Sequence, residues 1–552
     1  MKSLAAAAAT LLLLGICGAA AAGEPALRVE RFDEALALRP DGATLSFVLR
    51  KPAGSSADDA SRLPLALSQL ASELGLAELR LTQTHGAIER PRAPRGAELV
   101  AHFFDGGDAA RWGTLHRSLS AHTCAALSTM GGLQTPVGRP RLAFPPSTTA
   151  SAAADWGALA PPDALRVAGG AWYGVLPREP LCSANIEPFA ELLPCGAEAG
   201  LGRMLTRRIL HTRAHSLSLS LVRSRSGAMQ LNATVTVALD PGDDAFAILG
   251  PAPVPCVLAD SSVLQLGEGG AVPLGTVQDP VWEGAAQAWK LAASKPRVRV
   301  ADEDAGGVRV YSRIHADGYV GGTLSVTVVS AHETPLVASL WQVLPWPMRP
   351  AYRTLKVSNA TLLQRTLSPP NRERYTAGSS IELLLLLQRR QAATVSVEFG
   401  RAYLEMEAFP ADAARGIDVP AASVTYWPDA HAAAIGSAEA FGAAVKNQTL
   451  GQPVRVYGSG MVLPSVWVDF SMPFNVVCIS STFLTLMFGS VLSASLFEQP
   501  KPGEQAPKRP LNKLVDKVIA LTDIVFADAQ MKALRAEAAA KEATAAAAKK
   551  SE

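Results

Sequence analysis

Residues 229–239 read MQLNATVTVAL, and apolar and polar side chains alternate along this stretch. Because successive side chains of a β-strand point to opposite faces of a sheet, the alternation predicts a half-buried strand. The runs TLSVTVVS at 323–330 and TVSVEFG at 394–400 share this pattern, and RVRVADEDAGGVRVYSRI at 297–314 holds two such runs joined by a turn. The chain is therefore predicted to be mainly β, with a sandwich-like second half.

Two apolar segments predict a membrane protein. Residues 1–22, MKSLAAAAATLLLLGICGAAAA, carry one basic residue, an apolar run and a small-residue end, which is typical of a cleaved signal peptide. Residues 474–497, FNVVCISSTFLTLMFGSVLSASLF, contain no charged side chain. As a helix this second run would be about 36 Å long, enough to cross a hydrocarbon core of about 30 Å. We therefore expect one transmembrane helix.

A cleaved signal followed by one stop-transfer helix predicts a type I topology, with residues 498–552 in the cytosol. The three N-glycosylation sequons, at Asn232, Asn359 and Asn447, all precede the membrane helix. The chain ends in KKSE, which places Lys549 and Lys550 where a dilysine signal for retrieval to the endoplasmic reticulum stands. The preceding bulk of the chain is thus expected in the lumen.

The lumenal part is long enough for two domains, since single cores seldom grow much past about 250 residues. Helical spacing in LPLALSQLASELG at 63–75 and in ARWGTLHRSLSAHTCAALSTM at 110–130 predicts a mixed α+β domain over 23–270. A sandwich-like β domain is expected over 271–473. The Ala-, Pro- and Ser-rich residues 141–164, RLAFPPSTTASAAADWGALAPPDA, suggest an exposed loop.

Charge and motifs exclude several function classes. The chain has 51 Lys and Arg against 49 Asp and Glu, and this balance argues against a nucleic-acid partner. The sequence contains no Gly-x-Ser-x-Gly, no phosphate-binding loop and no His-Glu-x-x-His motif. No cofactor or metal site is predicted.

Of the six cysteines, Cys17 lies in the expected signal peptide and Cys478 in the membrane helix, so four remain in the expected lumenal part, at positions 124, 182, 195 and 256. In an oxidising lumen such cysteines usually form disulfides. The block LPREPLCSANIEPFAELLPCG at 176–196 places Cys182 and Cys195 close enough in sequence to bridge each other, and spacing alone favours that pair. The sequence contains no pair with the Cys-x-x-Cys spacing that would suggest a metal site.

A thiol enzyme would need a histidine beside its cysteine, and His211 and His215 are the candidates downstream of Cys182. The same two histidines, four residues apart, could face one metal on a helix. However, RRILHTRAHSLSLSLVRS at 207–224 alternates into a strand, which would make both of them ordinary surface or pocket residues. We therefore predict no reaction centre in this chain.

The membrane helix carries two further features. Small or weakly polar residues recur every four positions at Ser481, Thr485, Gly489 and Ser493, and such stripes allow close helix packing in lipid. Asn475 lies at the start of the apolar run, where its amide needs a polar partner. This partner is interfacial water, another subunit or a lipid head group.

Several blocks together resemble one family. They are VLPREPLCSANIEPFAELLPCGAEAGL, ILHTRAHS, VPCVLAD, YSRIHADGYVGGTLSVTV, LPWPMRPAYRTLKV, TVSVEFGRAYLEMEAFPADAARGIDVPAA and VDFSMPFNVVCISSTFL, with FDEALALRP and RGAELVAHF near the start. The order of these blocks is similar to that of the T subunits of the glycosylphosphatidylinositol (GPI) transamidase, and the resemblance covers nearly the whole chain.

The resemblance implies a non-catalytic scaffold subunit of a complex in the endoplasmic-reticulum membrane that attaches GPI anchors to preproteins. In that family, the cysteine and histidine chemistry belongs to a caspase-like partner, PIG-K, which the T subunit stabilises while it assembles the other membrane subunits. GPI lipid and preprotein would be met indirectly.

The same resemblance implies that Cys182 forms an interchain disulfide with PIG-K and that Cys195 pairs with Cys256. One departure from the family pattern is that Glu187 stands where a sequon at Asn185 would need Ser or Thr. Two other hypotheses remain open. The first is a lumenal glycoprotein-binding cargo receptor or chaperone, and the second is a thiol hydrolase that uses Cys182 with His211 or His215.

Overall fold

The structure is a computed structural model in which part of the chain is described. The described residues are 30–39, 42–52, 62–86, 94–132, 135–146, 169–240, 245–249, 254–266, 271–273, 307–318, 320–370, 378–405, 416–428, 441, 453–464 and 471–496. The predicted signal peptide (1–22), the predicted cytosolic tail (498–552) and the first arm of the 297–314 prediction lie outside them.

A ten-stranded sheet forms the first part of the chain. Its strands are β1 (Arg31–Arg39), β2 (Gly42–Lys51), β3 (Leu76–His85), β4 (Gly96–Phe103), β5 (Val137–Gly138), β6 (Trp172–Leu176), β7 (Ala214–Arg223), β8 (Met229–Ala238), β9 (Ser261–Leu266) and β10 (Ala271–Pro273). The spatial order is β10-β9-β1-β2-β8-β7-β3-β4-β6-β5. All neighbours are antiparallel except β1 and β9, which run parallel with Asp33 opposite Ser261.

Alternation along the strands decides which face of this sheet is covered. In β8, Leu231, Ala233 and Val235 are buried while Asn232 and Thr234 on the other face are half-buried. The apolar face carries the main core, which the helices cover. These are α1 (Leu65–Glu73), α2 (Ala109–Thr123), α3 (Ser183–Glu191) and α4 (Ala245–Leu249), with short 3₁₀ turns at Ala126–Thr129, Gly200–Met204 and Arg207–His211.

A β-sandwich follows. One sheet contains β11 (Val308–Asp317), β12 (Gly321–Ser330), β18 (Ala392–Arg401), β14 (Met348–Pro350) and β15 (Lys356–Ser358). The facing sheet contains β16 (Ala360–Ser368), β17 (Ser379–Leu387), β13 (Leu336–Leu344), β20 (Ser423–Tyr426) and β21 (Val454–Tyr457). A small pair, β19 (Ile417–Val419) and β22 (Met461–Leu463), and a 3₁₀ turn at Tyr352–Thr354 complete it. Apolar side chains of both sheets form a second core.

The ten-stranded sheet and the sandwich share a third buried cluster. Tyr173 of β6 packs edge-on against Trp341 of β13, with their ring centroids 5.8 Å apart. Ala143 and Phe144 lie between these strands and are buried. The prediction of an exposed loop over 141–164 is therefore wrong for residues 143–145, which are buried in this junction. Residues 147–164 lie outside the described part.

The prediction of a mainly β chain is confirmed. A separate unit near the C-terminus is the helix α5 (Ser471–Leu496), in which Phe474–Leu492 is long and apolar enough to cross a membrane. Its side chains are exposed in the chain taken by itself, as expected for a surface that meets lipid. The boundary between the two expected lumenal domains, at residue 270, stays a prediction.

Candidate functional site

The thiol of Cys182 is exposed and unpaired at the start of α3. The buried side chain of Asn185, one turn into the helix, holds it in place. The Oδ1 atom of Asn185 accepts the backbone N–H of Cys182 at 2.9 Å and its thiol at 3.2 Å, while Nδ2 donates to the carbonyl of Thr123 at 2.9 Å. One amide thus fixes the cysteine to the end of α2.

The segment before Cys182 is attached at two further points. The carboxylate of Glu179 accepts the backbone N–H of Ala126 at 2.8 Å. The guanidinium of Arg178 forms an ion pair with Asp418 of β19, and it lies 3.4 Å from the carbonyl of Gly416. Residues 178 and 179, just before Cys182, therefore contact both the helical layer over the first sheet and the sandwich.

The segment after α3 is held by a disulfide. Cys195 bonds to Cys256 across 61 residues of sequence. Beside it, the buried Glu34 of β1 accepts the backbone N–H of Leu201 at 2.9 Å and the hydroxyl of Ser262 at 2.6 Å. Burial raises the pKa of Glu34, and these two hydrogen bonds partly oppose that effect. The structure thus brings Cys195 to Cys256 and leaves Cys182 unpaired.

The two histidines proposed for catalysis do not share a strand face. His211 ends a 3₁₀ turn, and the strand β7 begins only at Ala214. His215 is 1 % exposed and stacks on the ring of His85 with a centroid distance of 5.0 Å. Burial lowers the pKa of His215 to about 4. His215 is therefore not a surface residue, because it is buried in β7 beside His85.

Among the described residues near Cys182, no side chain forms a catalytic pair with its thiol. The hydrogen-bond partner of its thiol there is the Asn185 amide and not an imidazole. In the described part of the chain, no three His, Cys, Asp or Glu side chains lie close enough together to hold a metal ion. Cys124, also exposed and unpaired, ends α2 in the left-handed region with a φ of 51°.

A carboxylate buried in the sandwich joins it to the first sheet. Glu382 of β17 is 2 % exposed and accepts the backbone N–H groups of Arg141, Leu142 and Ala143 at 2.7–3.1 Å. Burial raises the pKa of Glu382, and the three N–H donors partly oppose that effect. Thr425 of β20 also donates to the carbonyl of Ala143 at 2.5 Å. The segment 141–143 is therefore held on both its donor and acceptor sides.

A second buried polar group lies in the same junction. Glu98 of β4 accepts the hydroxyl of Tyr457 of β21 at 2.7 Å. The guanidinium of Arg455 covers the ring of Phe144 at 4.0 Å and lies 3.2 Å from the carbonyl of Ala143. Burial raises the pKa of Glu98, while Arg455 lowers it by charge attraction. These bonds fix the relative position of the first sheet and the sandwich.

The structure places the other predicted sites as follows. Asn232 lies in mid-strand on the half-buried face of β8, where Gln230 donates to it at 2.8 Å. Asn359 is exposed between β15 and β16 with a φ of 61°. Asn447, Lys549 and Lys550 lie outside the described residues.

The predicted stripe lies on α5. Thr485 donates to the carbonyl of Ser481 at 2.7 Å, and a Cβ added at Gly489 would meet no atom of this chain within 4 Å. Asn475 is exposed on the first turns of the helix. Ser493 lies in the helical backbone of α5. A larger residue at Gly489 would therefore clash with no atom of this chain.

Sequence reasoning missed Asn185 and Glu382 as positioning residues. The signal for Glu382 is present, because SSIELLLLLQ at 379–388 places a single carboxylate inside an apolar strand. Such a group must find donors once it is buried. The signal for Asn185 is a polar residue three positions after the N-cap Cys182, which is the spacing of a capping box.

The chain is similar to known proteins over most of its length. Residues 14–266 and 276–521 match the family model described as "Gpi16 subunit, GPI transamidase component". The mouse "GPI-anchor transamidase component PIGT" is 26 % identical, and the match covers 90 % of this chain and 95 % of that protein. The Schizosaccharomyces pombe "GPI transamidase component PIG-T homolog" is 22 % identical over 84 % of this chain and 89 % of that protein.

Similarity to solved structures is weak by comparison. The yeast delta-COP-I mu-homology domain is 12 % identical and covers 22 % of this chain and 39 % of that chain, with a TM-score of 0.14. A TM-score this low indicates no relationship in fold or function.

Proposed function

The chain belongs to the Gpi16 family of GPI transamidase components, and from this premise we propose that it is a non-catalytic scaffold subunit of that complex in the endoplasmic-reticulum membrane. In this role it holds the caspase-like catalytic subunit, PIG-K, through a disulfide at Cys182. It also assembles the other membrane subunits around α5, so that GPI lipid and preprotein are bound by the complex as a whole.

The observation that carries this proposal is the state of the cysteines. Cys195 is already bonded to Cys256, so Cys182 has no partner in its own block and stays exposed at a helix end. The thiol hydrogen-bonds an amide, which does not act as a general base, so a role in covalent linkage fits better than a role in catalysis. An oxidising compartment then favours a bond to another chain.

The junction between the first sheet and the sandwich supports the scaffold role. Arg178, four residues before Cys182, pairs with Asp418 of the sandwich. The segment that carries the thiol is therefore attached to both the first sheet's helical layer and the sandwich. The buried Glu382 and Glu98 contacts hold these parts together. A subunit that positions a catalytic partner needs a rigid junction of this kind, since small displacements of reacting groups lower the reaction rate by large factors.

The remaining assignments belong to the same proposal. The part before α5 lies in the lumen, with glycans on Asn232, Asn359 and Asn447, and Lys549 and Lys550 return the chain to the endoplasmic reticulum. Asn475 contacts a membrane subunit or a lipid, and the stripe of Ser481, Thr485, Gly489 and Ser493 packs against a neighbouring helix. Each of these can be altered without touching Cys182.

The test is a non-reducing gel of the complex purified in mild detergent. Wild type is expected to migrate as a heterodimer with a caspase-like polypeptide and to separate on reduction. Cys182→Ser should abolish this band, while Cys124→Ser, the matched change at the other exposed thiol before α5, should leave it intact. If Cys195→Ser but not Cys182→Ser removes the band, the assignment of the two thiols is reversed. A chain that purifies alone and retains glycan affinity would instead favour a cargo receptor.

A further inference from the structure

Four segments of the sandwich meet at one end of its first sheet. The backbone N–H of Arg401, at the end of β18, donates to the carbonyl of Val320 in the β11–β12 turn at 3.0 Å. The next N–H, of Ala402, donates to the carbonyl of Pro347 in the β13–β14 connection at 2.8 Å. The guanidinium of Arg401 reaches two more carbonyls, of Gly318 in that turn and of Pro464 after β22.

This end of the sheet carries the most exposed large apolar side chains of the sandwich that the structure describes. Tyr403 is 89 % exposed and Val320 is 83 % exposed, whereas the next, Tyr311, is 54 % exposed. Beside them, the guanidinium of Arg349 lies 4.0 Å above the half-buried ring of Trp346. We call Val320, Trp346, Arg349, Arg401 and Tyr403 the aromatic rim.

The composition of the aromatic rim suits a bilayer surface. Trp and Tyr favour the boundary between hydrocarbon and water, where the ring lies in the apolar layer and the polar atom stays wet. Arginine side chains extend along such a boundary and donate to phosphate oxygens. The exposed acidic residues Asp317 and Glu405 flank the rim, so its charge is nearly balanced. This balance fits zwitterionic phosphatidylcholine rather than a strongly anionic surface.

The chain itself links this end of the sheet to the membrane. Pro464, whose carbonyl binds Arg401, is followed after only six residues by Ser471, the first residue of α5. Seven residue steps span at most about 25 Å even when fully extended. The end of the sandwich that carries the rim is therefore tethered within that distance of the start of the membrane helix.

We propose that the aromatic rim rests on the phosphatidylcholine head-group layer of the membrane that α5 crosses, with Tyr403 and Val320 inserted among the upper parts of the acyl chains. This contact is a second attachment besides the helix, and it sets the tilt of the sandwich on the membrane. The inference rests on the membrane anchoring of the proposed function and does not depend on the Cys182 linkage.

The test is photolabelling of the purified complex in phosphatidylcholine nanodiscs that contain a phosphatidylcholine with a diazirine near the ester end of its acyl chain. After irradiation and proteolysis, mass spectrometry maps the labelled peptides. We expect label on the peptides with Val320 and Tyr403 at least tenfold above that on residues 254–258. This is a matched control, because Val257 there is 96 % exposed.

Two variants sharpen the result. Tyr403→Ser, a change at an exposed position that leaves the fold intact, should lower labelling of its peptide and of the Val320 peptide at least threefold, while Val257→Ser should change neither. Labelling of the rim that is equal to that of 254–258, as expected if the rim faces water or another subunit instead of lipid, would overturn the proposal. Label on α5 in the same sample reports membrane anchoring separately, so failure of the anchoring and failure of the rim contact are distinguishable.

Discussion

Replacement of Glu382 by alanine should release the segment 141–143 from the junction between the first sheet and the sandwich. The carboxylate accepts three consecutive backbone N–H groups, and alanine offers them no acceptor. Each hydrogen bond to a charged group contributes about 1.5–3 kcal/mol, and each buried donor left unpaired costs about 1–3 kcal/mol. Loss of the buried charge offsets part of this, because burial already raises the pKa of Glu382.

A net loss of about 3 kcal/mol is therefore expected for Glu382→Ala. At 1.4 kcal/mol per factor of ten, the population in which the segment is open should rise by about 150-fold. Glu382→Gln keeps one acceptor oxygen but loses the charge, so it should lose about 1–2 kcal/mol and open about tenfold more often.

Limited trypsin digestion of the purified complex measures this opening, because the bond between Arg141 and Leu142 lies inside the pinned segment. When opening is fast relative to cleavage, the cleavage rate at this bond follows the open population. Mass spectrometry of the bond should give the order wild type, Gln variant, Ala variant. Glu398→Gln, at an exposed position of β18, is the matched control and should cleave like wild type. If Glu382→Ala cleaves within twofold of wild type, the carboxylate does not hold the junction.

Three further predictions concern other parts of the chain. Burial lowers the pKa of His102 from 6.5 to about 4, so the folded chain binds its proton less readily than the unfolded chain, and stability should fall by about 2–3 kcal/mol as pH drops from 7 to 4.5. His102→Leu should lack this part of the loss in urea unfolding at the two pH values, and equal losses would refute it. Cys195→Ser opens a loop closed across 61 residues and should cost about 4 kcal/mol, seen as a lower urea midpoint, with Cys124→Ser unchanged. Gly489→Leu should reduce recovery of the other membrane subunits at unchanged membrane insertion, whereas Leu492→Ile, on the same helix, should not; unchanged recovery would exclude packing at this position.

Local patterns in the sequence were enough for the fold class and for the membrane helix. The alternation in MQLNATVTVAL reports a strand because the two faces of one sheet differ in burial, and that strand is β8. The uncharged run from 474 to 497 also predicts its structure locally, because the length and apolarity needed to cross a bilayer belong to one continuous segment. The family resemblance, carried by blocks spread along the chain, is confirmed by the match over residues 14–266 and 276–521.

Partners distant in sequence could be known only from the tertiary structure. Glu382 binds N–H groups about 240 positions away, and β9 lies parallel to β1 although 228 residues separate Asp33 from Ser261. The composition of residues 141–146 suggested an exposed loop, yet Ala143 and Phe144 are buried because they pack with side chains of both the first sheet and the sandwich. Periodicity records how a segment meets its surroundings, but it does not identify them, because many chain segments could supply the same apolar face or the same N–H groups. The position of Cys182 was decided in this way, because Asn185 holds it to the end of α2 and Arg178, four residues before it, pairs with Asp418 of β19.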